Sequence, residues 1–265
     1  MPMTLTDQLT ALVQQAGAGA ATLPGTQQVQ QHAKAAEAFG RTLNELWNTV
    51  RGHAQRTRQR VAQVQLEIAR WSPATPGALQ AHAKALAEDV NALLPAVQAK
   101  SDETARHRSV LAADSGALTQ QVAQARARLK QLEQQKAELQ AKANELRNRS
   151  IWTWLFPLAK AIDELVALGQ YGKSTEAAFE DALRQVAEGQ REASELIRAS
   201  DLASGQVAVL DQMTVRLQAL HNQLSVVSAR LRSEESLAKF DSPQTAGVFA
   251  NVLMHVAQAL EHSVD

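Results

Sequence analysis

Cysteine is absent from this chain of 265 residues. Disulfide bonds, thiolate metal sites and cysteine nucleophiles are therefore excluded together. The chain also lacks an excess of charge, because 27 basic side chains balance 27 acidic ones, and it has no arginine-rich tail. A nucleic-acid partner is not expected on these grounds. Aromatic residues make up only 4% of the sequence, so a place where they concentrate calls for an explanation.

Residue patterns typical of catalysis or metal binding are missing as well. None of the seven histidines stands three or four residues from another histidine, and the glycines form no phosphate-binding loop. Lys160, Asp163 and Glu164 fall on one polar helix face, where an ordinary ion pair is expected. We therefore expect a protein that is not an enzyme and that uses no cofactor and no metal ion. An active site inside a helical bundle is a weaker hypothesis for the same reasons.

Helical periodicity dominates the first half of the chain, and no alternating pattern long enough for a β-strand is found. Thr6 is the predicted N-cap of a short first helix, and a second helix is predicted over residues 26–71. Two prolines and a glycine predict a turn over residues 72–77. In the third helix, Pro95 is expected to produce a kink and Ser115–Gly116 an interruption.

A regular heptad begins at Leu118 and points to a coiled coil. Its predicted core positions are Leu118, Val122, Ala125, Leu129, Leu132, Lys136, Leu139, Ala143 and Leu146. Another long helix is predicted over residues 173–239. The Ser242-Pro243 start signal then predicts a last helix that ends near His262.

Residues 150–172 separate these two long polar segments and are apolar and aromatic. Trp152, Trp154, Phe156 and Tyr171 lie within this one stretch. Residues 151–156 are predicted to be extended or to form a tight turn, and Pro157 to precede a helix that begins at Leu158. Glycines 169 and 172 are predicted to end that helix. We call this stretch, residues 150–172, the head.

Two interpretations of the head remain open at this stage. The apolar run is too short and too charged for a comfortable membrane span, but it suits an amphipathic element at a membrane interface. Burial inside the protein or against an identical subunit is the more ordinary fate of such residues. On the first interpretation, the membrane-contacting residues are Ile151, Trp152, Trp154, Leu155, Phe156, Leu158, Ile162, Leu165, Val166 and Leu168.

The expected architecture is all-α, an elongated bundle or coiled coil of four to five helices. The two longest helices form an antiparallel hairpin that carries the head at its far end. Residues 1–149 and 173–265 are predicted to form a helical-bundle tail, and residues 150–172 a separate head.

This layout resembles the α-helical pore-forming toxins related to cytolysin A, haemolysin BL and the non-haemolytic enterotoxin. It is most similar to the small subunit of the tripartite toxins of Gram-negative bacteria. The resemblance covers the whole chain in architecture, and residues 151–168 carry its specific part. It implies a subunit that binds target-membrane lipid through its head and recruits other toxin subunits. The head is shorter than the long apolar hairpin of the larger pore subunits.

The resemblance also carries expectations about assembly and location. A homo-oligomer with its heads packed together is expected in water, because an exposed apolar head is unfavourable there. The first residues lack the features of a classical signal peptide, so secretion without one is expected, followed by action at the target-cell membrane. The alternative is a cytoplasmic, non-enzymatic coiled-coil adaptor or structural protein whose apolar tip docks a protein partner.

Overall fold

The computed structural model describes residues 4–16, 22–154, 161–237, 240 and 242–262. Side chains are described for residues 4–15, 22–142, 144–145, 177–229, 240 and 242–261. Within these ranges the chain forms five α-helices and no β-strand, which confirms the predicted all-α bundle. The helices are α1 (Leu5–Ala16), α2 (Pro24–Ala69), α3 (Thr75–Trp154), α4 (Ala161–Leu237) and α5 (Pro243–His262).

The N-cap of α1 is Thr4, so the prediction of Thr6 is wrong. The Thr4 N–H and hydroxyl donate to Asp7 Oδ2 at 3.1 and 2.7 Å, and the Asp7 N–H donates to Thr4 Oγ1 at 3.1 Å. This reciprocal arrangement satisfies backbone donors that a helix start leaves open. Thr6 is buried instead, and its hydroxyl lies 3.3 Å from Gly40 O and 3.0 Å from Asn44 Oδ1.

The third helix is continuous over 80 residues. Pro95 lies inside it and residues 115–116 do not break it, so the predicted interruption is wrong. At Pro95, burial of the neighbouring side chains favours the helix, because Leu93 and Val97 are 2% and 0% exposed. The predicted turn before α3 is confirmed but ends earlier than expected, since α3 already begins at Thr75.

The fourth helix is also continuous, over 77 residues. It passes through glycines 169 and 172, so the predicted helix end at these residues is wrong. It also passes through Gly189 and Gly205. A glycine inside a helix costs only about 1 kcal/mol relative to alanine, which the packing of so long an amphipathic element offsets.

The last helix begins at Pro243, as predicted. The Thr245 N–H donates to Ser242 Oγ at 3.3 Å, and the Ser242 N–H lies 3.3 Å from Thr245 Oγ1. Phe240, just before this cap, packs on Phe249 with 5.3 Å between the ring centroids. The chain reversal into α5 is therefore fixed by both a cap and an apolar contact.

The chain divides into two compact units. Unit 1 comprises Met1–Ala18, Gln31–Ala112 and Leu202–Asp265, and unit 2 comprises Gly19–Gln30 and Ala113–Asp201. This division differs from the predicted separation of tail and head and does not test it. The separate head stays a prediction.

Unit 1 has a core of completely buried side chains. Its largest members are Leu9, Leu43, Leu79, Leu86, Leu111, Leu210, Met213, Leu217, Leu220, Leu224 and Phe249. Within this unit α3 and α4 run antiparallel, because Asn91 contacts Ser228 at 3.1 Å and Arg108 pairs with Asp211.

Two glycines of unit 1 let α1 approach its neighbours closely. A Cβ atom at Gly40 would lie 3.2 Å from Leu9 Cδ1, and one at Gly205 would lie 3.0 Å from Leu12 Cδ2. Both distances are shorter than ordinary van der Waals contact. The close packing of α1 therefore depends on the absence of side chains at these two positions.

Two histidines of unit 1 favour their neutral form. Burial lowers the pKa of His53, although Asp89, 3.3 Å from its Nδ1, acts in the opposite direction. Arg56 and Arg60 lower it further. Burial likewise lowers the pKa of His107.

Candidate functional site

The head, residues 150–172, is the candidate functional site, and its described backbone, residues 150–154 and 161–172, belongs to two helices. Three of the predicted head residues lie in the last turn of α3: Ile151, Trp152 and Trp154. Four lie in the first two turns of α4: Ile162, Leu165, Val166 and Leu168. The remaining three fall outside the described residues: Leu155, Phe156 and Leu158. The side chains of all ten lie outside the part of the chain whose side chains are described.

The backbone of the head corrects the prediction for residues 151–154. It also shows that the α3 and α4 parts of the head are close in sequence. Residues 151–154 are helical, so the predicted extended segment or tight turn is wrong there. Trp154 ends α3 and Ala161 begins α4. The connection between them spans at most about 25 Å even when fully extended. The two helical parts of the head therefore stay within that reach of each other.

The head is carried by two helical segments of unit 2, which we call the arm: residues 113–149 of α3 and residues 173–201 of α4. Between residues 119 and 142 every side chain of α3 is exposed except six, which are half-buried. These six are Val122, Ala125, Leu129, Leu132, Lys136 and Leu139. All six are predicted heptad core positions, so the coiled coil of α3 is confirmed as far as residue 142.

The opposite side of this seam, on α4, includes the buried Val186 and several small residues. Ala182 and Ala193 are buried, with Gly189 between them. A Cβ atom at Gly189 would lie 3.5 Å from Cδ1 of both Leu129 and Leu132. Leucines of α3 therefore pack directly against the α4 backbone, which gives a thin apolar seam.

Glu195 of α4 fixes the start of α2 within unit 2. Its Oε1 accepts the N–H groups of Thr22 and Leu23 at 2.6 and 2.9 Å, and its Oε2 accepts the Thr22 hydroxyl at 2.5 Å. The Thr26 hydroxyl also contacts Oε1. Partial burial would raise the pKa of Glu195, but these hydrogen bonds lower it to about 2. The positive end of the α2 helix dipole also stabilises a carboxylate at this position.

The sequence analysis missed this contact. The only local signal is a pair of threonines, Thr22 and Thr26, around Pro24, which is typical of a helix start. The acceptor is 173 residues away from Thr22 along the chain. A contact over such a separation is not visible in a local pattern.

Two features are missing from the part of the chain that the structure describes. No helix there is long and apolar enough to cross a membrane. No group of three or more histidine, aspartate or glutamate side chains there could hold a metal ion.

Comparison with solved structures identifies the fold. Soluble AhlC of the tripartite α-pore-forming toxin AHL from Aeromonas hydrophila matches with a TM-score of 0.73 and 13% identity, over 99% of this chain and 96% of AhlC. The soluble triple head mutant of AhlC matches with a TM-score of 0.80 and 12% identity, over 99% and 97% of the two chains. The fold is that of a tripartite α-pore-forming toxin subunit. No protein-family model and no curated protein sequence matches the chain.

A second component of the toxin AHL shares the architecture too. The AhlB pore of the same toxin matches with a TM-score of 0.62 and 11% identity, over 99% of this chain and all of AhlB. The predicted resemblance to the α-helical pore-forming toxins is therefore confirmed at the level of structure.

Proposed function

We propose that this chain is a membrane-contacting subunit of a multicomponent α-helical pore-forming toxin. It binds lipid through its head, recruits other toxin subunits and is not an enzyme. The observation that carries the proposal is the match with AhlC along essentially the whole length of both chains. Because the match covers almost all of both chains, this chain has no large insertion or deletion relative to that toxin subunit.

The composition of the head supports lipid contact. Four of the ten Trp, Tyr and Phe residues fall within residues 150–172. Trp and Tyr prefer the headgroup level of a bilayer, where one end of the ring is apolar and the other is wet. An element of this length lies in the interface more readily than it spans the bilayer.

The narrowness of the arm also supports this function. Between residues 119 and 142 its seam residues on α3 are only half-buried, and the intervening side chains are exposed. Two slender helices have little surface with which to cover an apolar head. Lipid or another protein chain is therefore needed to remove the head from water.

The proposed cycle has two states. In water, copies of the chain pack their heads together, and each large apolar side chain buried there contributes roughly 1.5 to 3 kcal/mol. At a target membrane, lipid replaces this packing, and partner subunits are then recruited. The protein reaches that membrane by secretion.

Vesicle co-sedimentation of the purified protein tests the proposal. The head variant carries Leu155→Glu and Leu165→Glu. A matched control carries Leu66→Glu and Val215→Glu, which place the same charges on exposed side chains of unit 1. Circular dichroism verifies that both variants remain helical.

We expect the wild type and the control to sediment with vesicles and the head variant to stay in the supernatant. Failure of the wild type to bind would overturn lipid contact. If, in that case, the wild type is an oligomer in solution and the head variant is not, the head is a protein interface. The coiled-coil adaptor then becomes the better description.

A further inference from the structure

Two histidines join α2 and α3 within unit 1. His53 Nδ1 of α2 lies 3.3 Å from Asp89 Oδ1 of α3. His82 Nε2 of α3 lies 3.4 Å from Glu67 Oε1 of α2. Histidine ordinarily changes its charge at a pH where carboxylates, lysine and arginine keep theirs, so contacts of this kind are the first to respond to mild acid. His53 has two arginines beside it as well.

The neighbours of His53 define which nitrogen of its ring carries the hydrogen. His53 is 8% exposed, and Arg56 Nη2, one turn further along α2, lies 3.0 Å from its Nδ1. A guanidinium group has hydrogen-bond donors but no acceptor. Nδ1 therefore accepts from Arg56 and has no hydrogen of its own. In the neutral ring the hydrogen is on Nε2.

Asp89 is held by a different partner. Arg60 Nη1 of α2 donates to Asp89 Oδ2 at 2.5 Å, and this ion pair joins α2 to α3. Without a hydrogen, Nδ1 of His53 does not donate to Asp89 Oδ1, although only 3.3 Å separates the two atoms. At neutral pH the imidazole therefore pairs within α2, and Arg60 makes the bridge to α3.

Protonation of His53 exchanges these partners. A hydrogen on Nδ1 turns an acceptor into a donor, so Arg56 loses its acceptor and Asp89 Oδ1 becomes the acceptor for the ring. The imidazolium and Arg60 then compete for one carboxylate. Two arginines and one aspartate have a formal charge of plus one, and the imidazolium raises it to plus two. The side chains of Arg60 and Asp89 are only 18% and 22% exposed, so water screens this charge poorly.

The balance of these forces opposes a charged ring in the closed contact. Burial has the largest effect and lowers the pKa of His53. Attraction to Asp89 acts in the opposite direction, and Arg56 and Arg60 lower the pKa further. Because the closed contact disfavours the charged form, protonation favours opening of the contact, where the ring regains water.

The other helices that pack near this contact bring groups with partners of their own. Glu261 of α5 pairs with Arg58 of α2. Ser228 Oγ of α4 donates to Asn91 Oδ1 of α3 at 3.1 Å. The charged groups that act on His53 are the aspartate of α3 and the two arginines of α2 already named.

We propose that His53 is an acid-operated switch in the contact between α2 and α3. At neutral pH its ring accepts from Arg56, and Asp89 stays with Arg60. In mild acid the ring takes a proton on Nδ1 and competes with Arg60 for Asp89, and the two helices separate locally around this cluster. Carboxylates ordinarily keep their charge in this range, so the histidine is the trigger. The switch is a property of unit 1 and goes beyond the proposed function of the head.

NMR of the histidine ring nitrogens tests the first step. The His53 signals are identified by their absence in His53→Gln. At about pH 7.5 we expect Nδ1 to be unprotonated and Nε2 to carry the hydrogen. Arg56→Ala removes the opposing guanidinium, so His53 should take up its proton at a higher pH than in the wild type. The matched control Arg51→Ala removes another exposed arginine from α2 and should leave the titration unchanged.

Amide hydrogen exchange tests the opening of the contact. The rates are corrected for the intrinsic pH dependence of exchange, and the amide NMR spectrum of each variant verifies its fold. Between about pH 7.5 and about pH 5, wild type should lose protection roughly threefold or more over residues 50–60 and 86–93. His53→Gln should lose none there. His82→Gln, which removes the other histidine contact between these helices, should behave like wild type.

Three results would overturn the proposal: a hydrogen on Nδ1 at neutral pH, equal titration in Arg56→Ala and Arg51→Ala, or protection in wild type that acid leaves unchanged. A loss of protection that persists in His53→Gln would overturn it too, because the opening would then not need this ring. Neither measurement involves lipid or the head, so lipid contact by the head stands or falls separately.

Discussion

The core of unit 1 and the middle of the arm bury their leucines to different depths. In unit 1, Leu210 and Leu217 are completely buried, as in the core of an ordinary globular domain. In the arm of unit 2, Leu129 and Leu132 are only half-buried and face a glycine on the partner helix. Stability of unit 1 therefore comes from a three-dimensional core, whereas the arm depends on one narrow seam.

The largest expected difference between the units concerns leucine truncation. Leu217→Ala in unit 1 should lower the free energy of unfolding by about 2–5 kcal/mol, because it leaves a cavity in a closed core. Leu132→Ala in the arm should cost only about 1 kcal/mol, because water already reaches this side chain. Urea unfolding followed by circular dichroism measures both, and equal losses would contradict the contrast.

A smaller effect of opposite sign is expected from two glycines of α4. Gly189→Ala in the arm should stabilise the protein by up to about 1 kcal/mol, because the new methyl group meets leucines at an ordinary 3.5 Å. Gly205→Ala in unit 1 should destabilise it by roughly 1 kcal/mol or more, because Leu12 must move away from a 3.0 Å contact. Thermal unfolding of the two variants makes the comparison. If both substitutions stabilise the protein, the close packing of α1 does not depend on a glycine at position 205.

The smallest expected effect is that the two units respond to acid in different pH windows. The lowered pKa values of His53 and His107 give unit 1 stability that is fully present above the unfolded value of 6.5 and is lost as the pH falls below it. Glu195 of unit 2 has its pKa lowered from 4.5 to about 2, so its contribution is lost only between those two values.

Thermal unfolding at pH 7.5 and 5.5, values on either side of the histidine window, separates these contributions. Wild type should unfold at a lower temperature at the acidic value. The double variant His53→Gln, His107→Gln should lose much of that difference, whereas Glu195→Gln should keep it. If the histidine variant keeps the full difference in unfolding temperature between the two pH values, the pH dependence does not come from His53 and His107.

Patterns with a short period predict the described structure best. The heptad of α3 is correct at every described position, because the spacing of apolar side chains along one helix is a local property. The start of α5 is correct for the same reason, since Ser242 and Pro243 are neighbours. Thr6 was misassigned because its hydroxyl binds α2, more than thirty residues away.

Glycine signals mislead where packing decides the outcome. Residues 169 and 172 were predicted to end a helix, yet α4 continues through both. The composition of the head is visible in the sequence, and so is its position between two long helices. On the proposed function, its side chains contact lipid or another protein, and no pattern within one chain specifies such a partner.

The central claim is that the head enters lipid while unit 1 does not, and single labelled cysteines test it most directly. The chain has no cysteine of its own, so Leu165→Cys in the head and Val215→Cys, at a position 65% exposed in unit 1, can each carry one environment-sensitive fluorophore. On addition of phosphatidylcholine–cholesterol vesicles, the emission from position 165 should shift to the blue and brighten, and that from position 215 should not change. An unchanged signal at position 165, or equal shifts at both positions, would contradict the account.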